Sequence, residues 1–388
     1  MPFDFDQIHE RRHTNSAKYR FYDPDVLPMW VADMDFPAPP AILEALRAQV
    51  EHGIYGYEFP TEALFEAVRG RLARLYGWEL TPKEILLVPG LVSGFNVAAR
   101  AIARPGDGYL IQPPIYFPMR DLQRNTGLER QEAPLAVRTD GATLRYEIDF
   151  DALEAAVRPN TRFFLLCHPH NPVGRAFTRR ELEQLAEFCL RHDLIICSDE
   201  IHCELLLGDT PHLPIAALAP EVAARTITLN SPSKTFNIAG LFCGFALVPD
   251  PDLRQRFQAV TSELTLHVAS AGLVAAQAAY GPATDDWLAQ LRSYLTANRE
   301  ALTRYVADQL PGVRTTVPEA TYLAWLDCRA LNLEPSPFEF FLKQAKVALN
   351  DGQTFGPGGE GFVRLNFGCP RATLLEALDR MRAALAGR

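Results

Sequence analysis

The chain has 388 residues, of which 48% are hydrophobic and 22% are charged. This balance is typical of a folded globular protein and argues against intrinsic disorder. A formal net charge of −9, with no basic run, argues against binding to nucleic acid or to an anionic membrane.

Cysteine usage and the first residues predict the compartment. The seven cysteines occur singly, with no Cys-x-x-Cys pair, so we expect reduced core residues and no disulfide or zinc framework. The opening segment has neither the charged head nor the apolar run of a secretory signal. The most apolar long stretch, residues 267–280, is too short to span a bilayer. We therefore expect a cytoplasmic protein.

Two helices follow an irregular N-terminal arm. The first forty residues show no sustained period, so we predict an arm that lies across the rest of the molecule. Pro39 and Pro40 open the first helix and Gly53 stops it, and residues 62–76 form the second. The predicted core faces consist of Ile42, Leu43, Leu46 and Val50 in the first helix and Leu64, Phe65, Val68, Leu72 and Leu75 in the second.

From Ile85 onward, short apolar strands alternate with helices. A capping box of Thr178 and Glu181 opens one of these helices. The predicted strands lie at residues 85–88, 109–112, 162–167, 194–197, 226–229 and 244–248. This alternation predicts an α/β fold with a mostly parallel sheet covered by helices on both faces. The ligand site is then expected at the carboxyl ends of the strands.

The composition changes near residue 285. A long helix, a strand in residues 321–326, a second helix at 337–346, a strand at 361–366 and a closing helix predict a small α+β domain. We divide the chain into an arm with part of the small domain (1–45), a large domain (46–285) and the small C-terminal domain (286–388).

Lys234 is the most informative single residue. The chain has only five lysines among 38 basic residues, and Lys234 follows an apolar strand in the stretch Ser231-Pro-Ser-Lys234. A neutral amine can attack a carbonyl group, whereas a guanidinium stays protonated. One interpretation is a reactive lysine in a turn suited to phosphate. The alternative is a solvated loop lysine, and on this residue alone the two interpretations are about equal.

Two polar residues end neighbouring strands. Asp199 follows a buried strand, where a carboxylate needs a cation such as a protonated pyridine nitrogen. The commoner explanation for Asp199 alone is a helix cap or an arginine partner. Asn171, in His168-Pro-His-Asn171, has an amide that can bind a phenolic oxygen or a carboxylate. We do not interpret the two histidines as a metal site, because no third ligand lies nearby in the sequence.

Three weaker signals point to the same ligand. The turn Pro89-Gly-Leu-Val-Ser-Gly94 precedes a helix and offers amides to a phosphate, although many such turns contain glycine and serine. Tyr116 follows a strand and can lie on a flat ring, or simply pack at the surface. Arg364 lies in an apolar strand, where it needs a carboxylate partner, either a substrate or an internal Asp or Glu. Together these features fit pyridoxal phosphate and an amino acid.

These stretches resemble the fold-type I pyridoxal-phosphate enzymes of the class I/II aminotransferase family over nearly the whole chain. The matching stretches are Asn171-Pro-Val-Gly174, Asp199-Glu-Ile-His202, Ser231-Pro-Ser-Lys234 and Arg364. The chain looks most like the MalY/PatB branch of carbon–sulfur β-lyases, of the cystathionine β-lyase type. The stretches that carry this are Trp30-Val-Ala-Asp-Met-Asp-Phe36, Asp199-Glu-Ile-His202, Lys234-Thr-Phe-Asn-Ile238, Thr321-Tyr-Leu-Ala-Trp325 and Arg364-Leu-Asn-Phe-Gly-Cys-Pro-Arg371.

The resemblance implies a large domain with a mostly parallel seven-stranded sheet and a small α+β domain. It implies that Lys234 binds the aldehyde of the cofactor, that Asp199 pairs with its ring nitrogen, and that Asn171 and His202 bind its phenolic oxygen. The remaining implied roles are ring stacking by Tyr116, phosphate binding by Ser231, Ser233 and the backbone of Leu91 and Val92, and substrate carboxylate binding by Arg364 with Asn171 and the backbone near Ala32. Tyr57 matches a family tyrosine that reaches the phosphate of a neighbouring subunit, which implies a homodimer with shared sites.

One departure from the family pattern favours elimination. Aminotransferases of the family commonly carry a second phosphate-binding arginine eight residues after the lysine, where this chain has Phe242. The lyase branch also tends to lack that arginine. We therefore expect a lyase that converts L-cystathionine or a related S-substituted cysteine to a thiol, pyruvate and ammonia. An aminotransferase, or a lyase with an added protein-binding role, remains an alternative, and the sequence does not fix the leaving thiol.

Overall fold

The computed structural model describes residues 3–387, which form thirteen helices, fifteen strands and several short turns of tighter or wider helix. The helices are α1 (Ala17–Arg20), α2 (Pro40–His52), α3 (Glu62–Tyr76), α4 (Leu91–Ile102), α5 (Phe117–Thr126), α6 (Phe150–Ala156), α7 (Arg179–Arg191), α8 (Pro220–Ala223), α9 (Pro251–Glu263), α10 (Ser270–Tyr280), α11 (Asp285–Gln309), α12 (Pro337–Phe340) and α13 (Arg371–Ala386). The 3₁₀ turns are Pro82–Glu84, Ile215–Ala217, Ala239–Leu241, Pro282–Thr284, Arg329–Leu331 and Gly352–Phe355, and Phe341–Ala345 is a π-helical turn.

A seven-stranded sheet forms the centre of the large domain. Its strands, in spatial order, are β2 (Ile85–Val88), β10 (Gly244–Leu247), β9 (Thr226–Asn230), β8 (Ile195–Asp199), β7 (Thr161–Cys167), β3 (Gly108–Ile111) and β4 (Glu129–Glu132). All neighbouring pairs are parallel except those that β10 makes, which are antiparallel. The predicted mostly parallel sheet of an α/β fold is therefore confirmed. The edge strand β4 was not predicted, because its sequence Glu-Arg-Gln-Glu carries no apolar signal.

The sheet brings the ends of several strands to one edge. β7, β8 and β9 run parallel and in register, with Cys167 beside Asp199 and Asp199 beside Leu229. Helix α4 packs closely over these strands, since a Cβ added at Gly94 would lie 3.0 Å from a methyl carbon of Leu229. The residues after the three strands therefore open into one space.

A second sheet has six strands and combines distant parts of the chain. In spatial order these are β14 (Asn350–Asp351), β15 (Phe362–Asn366), β12 (Leu323–Asp327), β11 (Arg314–Thr316), β6 (Thr143–Glu147) and β5 (Ala136–Asp140). The hairpin β5–β6 lies within residues 46–285, the range predicted for the large domain. The division into domains stays a prediction. A third, two-stranded sheet pairs β1 (Leu27–Pro28) with β13 (Val347–Ala348), so the arm lies against the C-terminal part.

The predicted helices differ from the observed ones in detail. Helices α2 and α3 end at glycines in the left-handed conformation, Gly53 and Gly77. Val50 and Leu75, predicted to lie on core faces, are exposed at 67% and 39%. The predicted helix 337–346 is interrupted: regular α-helix ends at Phe340 and a π-helical turn follows. No helix in residues 3–387 is long and apolar enough to cross a membrane.

Candidate active site

A cavity lies where the carboxyl ends of the large sheet meet the second sheet and the N-terminal arm. It is lined by every residue predicted for the site except Tyr57: Ala32, Leu91, Val92, Tyr116, Asn171, Asp199, His202, Ser231, Ser233, Lys234 and Arg364. These residues come from the arm, the start of α4, the end of β8, the turns after β3, β7, β8 and β9, and β15. The fold therefore assembles side chains that are more than 300 residues apart in sequence.

Lys234 lies in the turn after β9, and its amine points into the cavity. Nζ donates a hydrogen bond to the backbone carbonyl oxygen of Ala32 at 2.6 Å. Burial lowers the pKa of Lys234 to about 8, with the charge of Arg364 adding to the effect and those of Asp33 and Asp199 opposing it. A substantial neutral fraction is thus present near pH 8, as a nucleophilic amine requires. The solvated loop lysine is not what the structure shows.

Asp199 is the last residue of β8 and is 4% exposed. One carboxylate oxygen accepts the backbone N–H of Ile201 at 3.1 Å, and within residues 3–387 no basic side chain forms an ion pair with it. Burial, with a smaller contribution from the nearby Glu200, raises the pKa of Asp199 to about 7, while the N–H of Ile201 and the charge of Lys234 oppose the shift. The arginine partner considered from the sequence is absent from the described chain. A cationic ligand group would restore the usual ionised form.

Arg364 crosses the cavity from β15 and is 2% exposed. Its guanidinium donates to the side-chain oxygen of Asn171 at 3.0 Å, to the carbonyl oxygen of Trp30 at 3.1 Å and to the side-chain oxygen of Asn350. Nε is buried without a partner. Burial lowers the pKa of Arg364 to about 10. No Asp or Glu of the described residues forms an ion pair with it, so the internal carboxylate considered from the sequence is not present.

Asn171 and His202 supply neutral polar groups. Because the side-chain oxygen of Asn171 accepts from Arg364, its NH₂ group remains available as a donor. Burial, together with the charges of Lys234 and Arg364, lowers the pKa of His202 to about 3, so the imidazole is neutral. Its Nδ1 is buried and has no hydrogen-bond partner. Both side chains can therefore bind an oxygen of a ligand that occupies the cavity.

The opposite end of the cavity resembles a phosphate cradle. Gly90 precedes α4 with a φ of +93°, a value that favours glycine, and the first-turn amides of Leu91 and Val92 have no acceptor inside the helix. The hydroxyl of Ser231 donates to the Cys243 carbonyl oxygen at 2.7 Å and accepts from the N–H of Ser233. Ser231 must therefore rotate before its hydroxyl can donate to a phosphate.

Tyr116 and Tyr57 have different positions in the single chain. Tyr116 lines the cavity beside Phe117, with ring centroids 5.1 Å apart. Tyr57 lies in the segment between α2 and α3, and its side chain is fully exposed and outside the cavity. The structure thus assembles all predicted site residues except Tyr57.

Two residues near the cavity received no role from the sequence. Asn350 lines the cavity and accepts from Arg364, its partner across the antiparallel pair β14–β15. Tyr322 is fully buried and donates its hydroxyl hydrogen to the carbonyl oxygen of Ala32 at 2.9 Å. Tyr322 belongs to the stretch Thr321-Tyr-Leu-Ala-Trp325, which carried a family resemblance but no assigned chemistry. Asn350 had no comparable signal.

The residues present fit pyridoxal phosphate. A buried carboxylate without a cation suits its ring nitrogen, an amine with a lowered pKa suits its aldehyde, and free helix amides suit its phosphate. The guanidinium without a carboxylate suits an amino-acid substrate. Among the described residues no cluster of three or more His, Cys, Asp or Glu side chains could hold a metal ion.

Comparisons with known proteins agree with this geometry. The protein-family model described as aminotransferase class I and II matches residues 24–381. Cystathionine beta-lyase PatB of Bacillus subtilis is 41% identical, over 99% of this chain and the whole of that protein. The structure of cystalysin from Treponema denticola, which contains pyridoxal 5'-phosphate, superposes with a TM-score of 0.95 at 31% identity and full coverage of both chains. The structure of the pyridoxal-phosphate-bound C–S lyase from Staphylococcus hominis superposes with a TM-score of 0.92 at 31% identity, and the match covers 99% of each chain.

The lowered pKa of Lys234 predicts how its reactivity depends on pH. In the cofactor-free chain, the rate of covalent uptake of pyridoxal phosphate should rise with pH and level off above a pH of about 8, because the neutral amine is the reactive form. The rate is followed by absorbance, and borohydride reduction with peptide mass spectrometry locates the label. Lys234→Arg should abolish the label. A rate that keeps rising up to the ordinary pKa of lysine would contradict the assignment.

Proposed function

Because the chain belongs to the aminotransferase class I and II family, we propose that it is a pyridoxal-phosphate-dependent carbon–sulfur β-lyase. Its substrate is L-cystathionine or a related S-substituted L-cysteine, and its products are a thiol, pyruvate and ammonia. One observation carries this proposal: Lys234, Asp199 and Arg364 converge in one cavity without ion-pair partners in the described chain. Similarity to cystathionine beta-lyase PatB and to a C–S lyase supports elimination as the reaction.

The substrate binds through its α-carboxylate. Arg364 is buried and has an unpartnered Nε, so it can donate to both carboxylate oxygens in the bidentate geometry typical of arginine. The free NH₂ group of Asn171 and the backbone N–H of Ala32 add further donors. Because Arg364 is fixed by Asn171, Asn350 and the Trp30 carbonyl, the carboxylate binds in one orientation.

The cofactor is held by residues along the whole cavity. When bound, pyridoxal phosphate withdraws electrons from the α-carbon of the substrate, which makes the α-proton acidic. Asp199 would keep the ring nitrogen protonated, Tyr116 would pack on the ring, and Asn171 and His202 would donate to the phenolic oxygen. Ser231, Ser233 and the amides of Leu91 and Val92 would hold the phosphate.

Lys234 moves the proton that drives the reaction. Its neutral amine removes the proton from the substrate α-carbon, after which the bond between the β-carbon and sulfur breaks and the thiolate leaves with the electron pair of that bond. The ammonium of Lys234 can return a proton to the leaving sulfur. Water then converts the remaining three-carbon fragment to pyruvate and ammonia. No external oxidant or keto acid is required.

We also propose that two chains form a homodimer in the cytoplasm. Tyr57 is fully exposed, and Ile54, Tyr55 and Phe59 nearby are also more than half exposed. An exposed apolar segment of this kind suits a contact with a second chain. Tyr57 would then bind the phosphate in the partner's cavity.

The cysteines support the cytoplasmic location. All seven are free and buried, which suits a reducing compartment.

The proposed reaction is tested by its products. Purified protein with L-cystathionine and no added keto acid should release pyruvate and free thiol in equal amounts, because elimination produces one of each. Both are followed together, and Lys234→Ala serves as the inactive control. Amino transfer that appears only after a keto acid is added, with no pyruvate beforehand, would instead identify an aminotransferase.

The role of Arg364 predicts a loss in substrate recognition. Arg364→Lys should lower kcat/KM by at least ~30-fold, mainly through a higher KM, because an ammonium cannot reproduce the bidentate contact and the site is desolvated. Steady-state kinetics with a substrate series provide the measurement. The matched control is Arg329→Lys, since Arg329 pairs with Asp327 and does not line the cavity. An unchanged KM would contradict the assignment.

The shared site predicts a specific effect at Tyr57. Tyr57→Phe should weaken cofactor binding by about tenfold, because a charge-assisted hydrogen bond to phosphate is lost. Absorbance titration of cofactor-free protein measures the binding, and light scattering should give the mass of two chains. Tyr55→Phe, another exposed tyrosine in the same segment, is the control. Equal binding by the Tyr57 variant and the wild type, or the mass of a single chain, would contradict the proposal.

A further inference from the structure

The carbonyl oxygen of Ala32 accepts two side-chain hydrogen bonds inside the cavity wall. One comes from the amine of Lys234 at 2.6 Å, and the other comes from the hydroxyl of Tyr322 at 2.9 Å. Tyr322 is fully buried and immediately precedes β12. The proposed reaction uses Lys234, but none of its steps requires Tyr322.

The backbone around Ala32 is irregular, and its carbonyl oxygens are held by side chains from elsewhere. Arg364 donates to the carbonyl oxygen of Trp30, and the amide of Asn366 donates to those of Val31 and Asp33 at 2.6 and 2.7 Å. None of these donor groups forms a covalent bond during the proposed reaction. At Ala32, by contrast, one of the two donors is the reactive amine itself.

Tyr322 is the donor that remains when the lysine is engaged. If the nitrogen of Lys234 were bound to an aldehyde, it would keep at most one hydrogen and would no longer reach the Ala32 carbonyl oxygen as the free amine does. A buried carbonyl that has lost its donors is costly, and the peptide then tends to turn toward another partner. With the Tyr322 hydroxyl in place, the carbonyl keeps its direction and is ready when the amine is released.

The backbone before Tyr322 is held in an unusual conformation. Thr321 has a φ of +71°, which is rare and costly for a β-branched residue. It is kept there because its N–H donates to the Leu205 carbonyl oxygen at 2.8 Å and its hydroxyl oxygen accepts from the N–H of Leu323 at 3.1 Å. This arrangement fixes the direction in which the Tyr322 side chain leaves the chain.

We propose that Tyr322 is a positioning residue for Lys234, which acts by holding the Ala32 carbonyl oxygen where the free amine of the lysine reaches it. The role rests on the proposed function of Lys234. Tyr322 itself touches the carbonyl and not the reacting atoms. Its contribution is to give the released amine one defined location beside the substrate α-carbon.

The charge state of the free amine reports on this contact. The titratable groups around Lys234 are Asp33 on the arm, Asp199 at the end of β8, His202 in the turn after β8, and Arg364 on β15, and replacing Tyr322 with Phe changes none of them. In the wild type the Ala32 carbonyl stabilises the protonated amine. Without the hydroxyl the carbonyl is free to turn away, so the protonated amine loses its acceptor and the pKa of Lys234 falls.

The test compares Tyr322→Phe with Tyr109→Phe in the full-length chain freed of cofactor. Tyr109 is a matched control, because it is equally buried and donates to the carbonyl oxygen of Arg120 at the same 2.9 Å, away from the cavity. Acetic anhydride labels lysines in proportion to their neutral fraction, and mass spectrometry of the Lys234 peptide over a pH series gives the pKa. Tyr322→Phe should lower it by about one unit, and Tyr109→Phe should leave it unchanged.

Each alternative result overturns the proposal. An unchanged pKa would mean that the hydroxyl does not position the carbonyl, and a raised pKa would mean that it only competes with the amine. Thr321→Gly, which relaxes the backbone before Tyr322, should lower the pKa in the same direction and serves if Tyr322→Phe does not fold. Because labelling needs no turnover, this result is independent of whether the proposed lyase reaction is correct. With a turnover assay, Tyr322→Phe should lower kcat and leave KM nearly unchanged.

Discussion

Three buried ionisable groups without ion-pair partners in the described chain determine what this cavity can bind. Burial raises the pKa of Asp199 and lowers those of Lys234 and Arg364, so each group is pushed toward its neutral form. Removing a charge from water without a partner costs several kcal/mol, and a ligand that supplies the partner recovers much of that cost. A cofactor with a cationic ring nitrogen and an aldehyde, together with an amino-acid substrate whose carboxylate pairs with Arg364, supplies a partner for each of the three groups. The buried side chains that have no ion-pair partner in the described chain therefore determine which ligand the cavity prefers.

The N-terminal arm completes the site because its backbone is not committed to regular structure. Its carbonyl oxygens can accept from the side chains of distant elements, as those of Trp30 and Ala32 do. A buried charge network fixes the arm: the amine of Lys18 pairs with Asp35 at 2.7 Å, and Arg11 contacts Asp35 as well. An irregular segment held in this way is as well defined as a strand, while its polar groups remain available to the cavity.

The sequence predicts those parts of the site that follow local rules. Short apolar runs locate the inner strands, and residues that end neighbouring parallel strands lie at one edge of the sheet, so the sequence places Asp199 and its neighbours in one site. The edge strand β4 could not be predicted, since it is polar. Asn350 reaches Arg364 only through antiparallel pairing, and Tyr322 reaches Ala32 only through the packing of the arm. Such contacts depend on tertiary structure and leave no periodic signal in the chain.

The most direct test of this account is the protonation state of the bound cofactor. Pyridoxal phosphate labelled with ¹⁵N in its ring is bound to the protein, and the nitrogen chemical shift is followed as the pH is raised. We expect a protonated ring nitrogen that stays protonated well above the pH at which the free cofactor loses this proton, and an unprotonated one in Asp199→Asn. An unprotonated nitrogen in the wild type would contradict the claim that the unpaired carboxylate of Asp199 exists to meet a cation.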